Sequence, residues 1–108
     1  MNAQIQSDLD LIRESVLQAV SAEAIYLFGS HAYGHPRDDS DLDIYVVAPD
    51  DTPDMGELYA DILALIRRKK KYVGIDLLMG RASAFNRRKV GSTLERVIAQ
   101  KGALLHGT

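Results

Sequence analysis

The sequence predicts a small α/β sandwich built on a mixed sheet, and three observations carry that prediction. Amphipathic stretches with helical spacing alternate along 108 residues with short runs of β-branched and aromatic residues, in the order α-β-β-α-β-α-α-β. One of those runs, Leu42-Asp43-Ile44-Tyr45-Val46-Val47, starts on an Asp41-x-Asp43 pair. Side chains alternate along a strand, so Asp41 and Asp43 share one face while Leu42, Ile44 and Val46 share the other. A small-residue turn, Gly29-Ser30, closes the preceding strand ten residues before Asp41.

Each element has its own justification. Ile5, Leu9, Ile12, Val16, Leu17 and Val20 recur at helical spacing, which places a helix from Ser7 to about Val20, capped by Ser7 or Asp8. Ala24-Ile25-Tyr26-Leu27-Phe28 is a nearly continuous apolar run, as expected of a buried strand. The loop His35-Pro36-Arg37-Asp38-Asp39-Ser40 has turn chemistry throughout, and the second strand follows it and ends near Pro49. Asp50-Asp51-Thr52-Pro53-Asp54 forms a loop and a cap. Leu58, Ile62, Leu65 and Ile66 then mark the buried stripe of a helix from about Met55 to Lys71. Val73 to Met79 reads as a third strand, with Gly74, Asp76 and Leu78 on one face and Val73, Ile75, Leu77 and Met79 on the other. Arg81 to about Val90 is expected to be helical. Gly91-Ser92 breaks it, and Ser92 with Glu95 forms a capping box for a last helix to Gln100. Ala103-Leu104-Leu105-His106 adds an edge strand.

Composition bounds the function. The length suits one domain over residues 1–108, too small for a core plus a separate substrate-binding domain. The net charge of −2 gives no overall case for nucleic-acid binding. Without cysteine there is no disulfide scaffold or thiolate zinc site, which fits a reducing, cytoplasmic setting. The N-terminus is polar and lacks a signal-peptide core, and no apolar run approaches the roughly 20 residues that span a bilayer.

Asp41, Asp43 and Asp76 are the candidate catalytic and metal-binding residues. A carboxylate inside an apolar strand costs several kcal/mol unless it is paired, hydrogen-bonded or bound to a metal, and Asp76 is flanked by Ile75 and Leu77. If the third strand lies beside the second, Asp76 faces the same way as Asp41 and Asp43. Close carboxylates repel one another and invite a divalent cation. An EF-hand fits poorly: Asp39, Asp41 and Asp43 would take positions one, three and five, but Ile44 stands where Gly is required and Asp50 where Glu is expected.

The stretch Gly29-Ser30-His31-Ala32-Tyr33-Gly34-His35-Pro36-Arg37-Asp38-Asp39-Ser40-Asp41-Leu42-Asp43, with a third acid in Val73-Gly74-Ile75-Asp76-Leu77-Leu78, resembles the signature of the minimal nucleotidyltransferase family. These are the smallest members of the DNA polymerase β-like superfamily. The closing pattern from Arg87-Arg88 to Leu104-Leu105 also looks like that family's last helices. Many relatives carry Arg after Gly-Ser, where this chain has His31 and Tyr33. The resemblance implies a polymerase β palm-like fold and a transferase that moves a nucleoside monophosphate, AMP from ATP, onto a hydroxyl. It implies two Mg²⁺ ions held by Asp41, Asp43 and Asp76, with Gly29 and Ser30 binding the nucleotide phosphates. It further implies a small helical HEPN ribonuclease toxin as partner, silenced by adenylylation of a tyrosine, so that this chain acts as antitoxin. Two alternatives stand beside it: a binding module that neutralises its partner by contact alone, and a transferase acting on a small hydroxylated molecule.

Other features have plainer readings. Arg67-Arg68-Lys69-Lys70-Lys71 could bind phosphate or RNA, yet cations also suit a helix C-terminus. His31, His35 and His106 lack metal-ligand spacing. His31 and Tyr33 could still touch a nucleotide by stacking. Arg87-Arg88 reads as an exposed helix face.

Overall fold

A computed structural model describes residues 2–37 and 40–107. Asp38 and Asp39, and with them part of the turn-rich loop and one position of the calcium-loop alternative, lie outside the described residues. The elements are α1 (Ala3–Ala19), β1 (Ala24–Phe28), α2 (Ser30–Tyr33), β2 (Leu42–Ala48), α3 (Met55–Lys69), β3 (Ile75–Arg81), α4 (Ala82–Arg88), α5 (Leu94–Lys101) and β4 (Ala103–Gly107). The mixed α/β architecture follows the sequence expectation, with α2 as an additional short helix.

The ends of the helices differ from the sequence reading for local reasons. α1 begins ahead of Ser7 because Asn2 caps it, its Oδ1 accepting from the Ile5 N–H at 2.8 Å. α3 begins where expected, with the Asp54 carboxylate accepting from Glu57 N at 3.0 Å. At α5 the cap is Thr93, not Ser92: its Oγ1 accepts from Arg96 N at 3.1 Å and donates to the Arg88 carbonyl at 2.6 Å. Moving the cap by one residue frees Glu95 from a capping box and turns it inward. The helix α4 spans Ala82–Arg88, shorter than the expected 81–90.

The four strands run in the order β3-β2-β1-β4. β1 is antiparallel to both β2 and β4, whereas β2 and β3 are parallel and joined through α3. β2 is central and buried on both faces over most of its length, which matches its continuous apolar composition. β4 is an edge strand, as its position in the sequence suggested. β3 is the other edge and starts at Ile75, two residues later than expected; the Gly74 carbonyl just ahead of it accepts from Leu42 N at 2.9 Å.

Each face of the sheet has its own core. On one face Ile25, Leu27, Ile44 and Val46 meet Leu9, Ile12 and Val16 of α1 and Leu58, Ile62 and Ile66 of α3. Each such side chain contributes about 1.5–3 kcal/mol on burial. Ser15 is buried there without penalty because its hydroxyl donates to the Leu11 carbonyl at 2.8 Å. On the other face Ala24, Phe28, Tyr45 and Val47 pack with Phe85 of α4 and Ile98 of α5. Phe85 stacks on Tyr26 with ring centroids 5.7 Å apart and lies 5.3 Å from Tyr45. This second layer covers the sheet at the Tyr45 and Val47 end of β2 and leaves the Asp43 end to the site.

Candidate active site

The parallel register of β2 and β3 sets Asp43 directly beside Asp76, and the antiparallel register of β1 sets Phe28 on the other side of Asp43. All three belong to the face that carries Tyr45. Asp41 lies one residue before β2. Asp43 is half-buried, while Asp41 and Asp76 are exposed. The exposure of Asp76 corrects the expectation of a carboxylate enclosed by apolar neighbours. It is the second residue of an edge strand, so its desolvation cost is small and its role must come from what it faces.

The electrostatics record this proximity. Burial pushes the Asp43 carboxyl up from its ordinary value of 3.8, the negative charges of Asp76 and Asp41 push it the same way, and His31 opposes them. Asp43 thus stands at the centre of the trio. His31 donates from Nε2 to the Ser40 carbonyl at 3.1 Å, which ties α2 to the start of β2 and holds the imidazole on the carboxylate side. Tyr33, the other residue of that segment singled out in the sequence, is 43% exposed.

Gly29 brings the Gly-Ser turn against the strand. Its φ of 71° and ψ of −153° lie in a region reserved for glycine, and a Cβ there would fall on the Asp43 carboxylate. The backbone therefore approaches Asp43 as closely as it does only because position 29 has no side chain. Ser30 follows as the first residue of α2. The sequence signal placed Gly29 and Ser30 near the carboxylates through their spacing, and the fold sets Gly29 against Asp43.

A cavity of 720 Å³ between the start of α1 and the approach to β2 reaches Asp41 but not Asp43 or Asp76, and is lined among others by His31, Arg37, Ser40 and Gly74. Arg37 was read in the sequence only as part of a turn. Its backbone N–H donates to Ser40 Oγ at 2.8 Å, and it lines the same cavity as Asp41.

The donor set suits a hard divalent cation: three carboxylates, no sulfur, and mutual repulsion that a cation would relieve. Among the described residues, however, no three His, Asp or Glu side chains are gathered into a ready-made metal cage. The backbone delivers the carboxylates to one place without closing their side chains on a common centre.

Further along the same face is a network that sequence reasoning did not find. Glu95 is 8% exposed. Tyr45 donates from its hydroxyl to Glu95 Oε2 at 3.3 Å, and Arg88 Nε lies 3.1 Å from Oε1. The latter is an ion pair whose angle does not satisfy a hydrogen bond, so Oε1 has a charge partner but no aligned donor. Burial raises the Glu95 carboxyl, but its own backbone N–H, Arg88 and Tyr45 outweigh that and hold it below 4.5. Burial and the Glu95 charge push the Tyr45 phenol from 10.0 to about 12.

The sequence profile of the nucleotidyltransferase domain matches residues 5–105. No curated protein matches the chain. Two solved structures share the fold. The crystal structure of a toxin–antitoxin with AMP-PNP is 24% identical, with 93% of this chain and 73% of that one covered and a TM-score of 0.61. That of a candidate nucleotidyltransferase from Sulfolobus solfataricus is 20% identical, with 99% and 89% covered and a TM-score of 0.54.

Proposed function

The chain belongs to the nucleotidyltransferase domain family, and on that premise we propose that it is a Mg²⁺-dependent enzyme that moves AMP from ATP onto a hydroxyl of a partner protein. The observation that carries this reading is the β2–β3 register, which puts Asp43 beside Asp76 on the face that Gly29 approaches. Asp41, Asp43 and Asp76 would hold two Mg²⁺ ions, which when bound neutralise the triphosphate and the leaving pyrophosphate. Gly29 lets the backbone come close to the phosphates, and Ser30 donates hydrogen bonds to them. The acceptor oxygen attacks the α-phosphorus, the bond to the pyrophosphate oxygen breaks, and the hydroxyl proton is drawn off with the help of Asp76. The products are an AMP ester and pyrophosphate, and no covalent enzyme intermediate is needed.

We place the acceptor on a second protein because the carboxylates lie on an open face with little of the chain around them. A likeness of fold to a toxin–antitoxin structure with AMP-PNP supports an antitoxin role. The resemblance of the Gly29-Ser30 to Asp41-x-Asp43 signature to the minimal nucleotidyltransferase family extends the proposal to a HEPN-type toxin as partner in the cytoplasm and a tyrosine as the modified residue. The partner's remote surface would supply the binding energy that positions the hydroxyl. Intact-mass spectrometry of the protein encoded beside this one, after incubation with ATP and Mg²⁺, tests the reading. Additions of AMP mass are expected. His31 and Tyr33 in place of arginine favour a second reading, inhibition by contact alone. That reading wins if the partner stays unmodified and Asp41→Ala/Asp43→Ala inhibits it as well as the natural chain does.

A further inference from the structure

Five of the thirteen Lys and Arg residues stand in succession from Arg67 to Lys71. The rest of the chain therefore carries eight cations against fifteen acids, and the positive charge is concentrated at one end of α3. The helix dipole accounts for cations in the last turn. It does not account for what they surround. Lys70 is committed to Asp8, with Nζ 2.8 Å from Oδ1. Arg67 and Lys71 instead border a groove of 570 Å³ together with Tyr59 and Tyr72. Tyr72 is 79% exposed and Tyr59 41% exposed, and the Lys71 ammonium lies 5.5 Å from the centre of the Tyr72 ring. The floor between them is apolar, formed by Leu63 and Ile66.

Tyrosine and arginine over an apolar floor is the composition of a protein interface core. The groove lies on the α3 side of the sheet, and its end at Gly74 meets the site at Asp41. Gly74 borders both it and the cavity that contains Asp41, and a Cβ at Gly74 would lie 2.5 Å from Asp41 Oδ1. Between groove and Asp41 stands only the backbone of Gly74, because that residue has no side chain. A nucleic-acid strand following this path would carry its phosphates from two cations onto the Asp41 carboxylate, on a protein of net charge −2. An acidic polypeptide segment needs cations only where its own acids lie.

We propose that this groove docks the acceptor protein through an acidic segment, anchored by Arg67 and Lys71 and packed on Tyr59 and Tyr72, and so delivers the neighbouring hydroxyl past Gly74 to the carboxylates. The inference rests on the reading that the acceptor is a protein. The probe is a fluorescent random copolymer of glutamate and tyrosine, with binding followed by anisotropy at low and physiological salt. Arg67→Glu/Lys71→Glu weakens binding about tenfold or more, and Tyr72→Ala weakens it about threefold or more. All three side chains are exposed, so the variants fold. Arg13→Glu/Lys101→Glu, which changes the net charge equally on other surfaces, keeps its affinity within about twofold. Asp43→Asn binds the copolymer as the natural chain does, which separates docking from transfer. Equal weakening by the two double variants overturns the proposal, because the attraction is then generic. Tighter binding of oligoadenylate that the same groove substitutions abolish also overturns it and makes the groove a nucleic-acid site.

Discussion

Asp43 carries a conflict that a nucleotide site can use. Burial and two like-charged neighbours raise its carboxyl, so in the absence of a cation its ionised form works against the fold. For a group raised in the folded state, the stabilising contribution is complete below the unfolded value of 3.8 and is lost as pH rises through the folded one. Asp43→Asn should therefore unfold at higher urea than the natural chain at pH 7 without metal, with the difference fading on acidification. A variant less stable at pH 7 would show that Asp43 is held by favourable contacts instead. The same substitution should cut AMP transfer by about 100-fold or more, measured in single turnover. Gly29→Ala tests the turn. Forcing a side chain into that backbone region costs about 1–3 kcal/mol, and the new methyl displaces the Asp43 carboxylate, so stability and transfer should fall together in denaturation and rate measurements. Little change in either would separate the turn from the carboxylate.

At the level of elements, α5 is pinned to the sheet by one buried network. Tyr45, on the central strand, needs the glycine at position 80 of β3, because a Cβ there would occupy the place of its hydroxyl. Removing the carboxylate with Glu95→Leu strands the buried Tyr45 hydroxyl, while the exposed Arg88 guanidinium returns to water, and should cost about 1–3 kcal/mol in thermal or urea unfolding. Two pH limbs follow. Glu95 is lowered, so its contribution is present above 4.5 and is lost as pH falls through its folded value. Tyr45 is raised, so its contribution is present below 10.0 and is lost as pH rises through about 12. Tyr45→Phe should lack the alkaline limb between those values when melting temperature is followed against pH. The strands and long helices were legible because their apolar periods differ and repeat often enough to be read. α2 was not, since four residues give no period. Ser92 and Thr93 both fit the chemistry of a cap, and only the geometry of the α4–α5 turn, where Thr93 also reaches the Arg88 carbonyl, selects Thr93 and releases Glu95 to the core.

Across the whole molecule, the sequence placed Asp41 and Asp43 on one face because strand alternation has a period of two, and that part needed no coordinates; Asp76 joins them only if the third strand lies beside the second. Bringing β3 beside β2 required the fold, and so did the finding that Asp76 is exposed and Asp43 half-buried. The Arg37 cavity and the groove below Tyr72 could not be read in advance, since both depend on where loops and helix ends come to rest. Taken together, the chain has an acidic open face, a glycine turn beside it and a concentrated basic end. Like-charged carboxylates on that face cannot receive a triphosphate until cations are present. Calorimetric titration of ATP into the natural chain and into Asp41→Asn/Asp43→Asn, each with Mg²⁺ and with chelator, measures that requirement directly. The account predicts heat of binding for the natural chain with Mg²⁺, and a loss of at least about tenfold in affinity on removing either the ion or the carboxylates. Equal ATP affinity in chelator, or in the double variant, would contradict it.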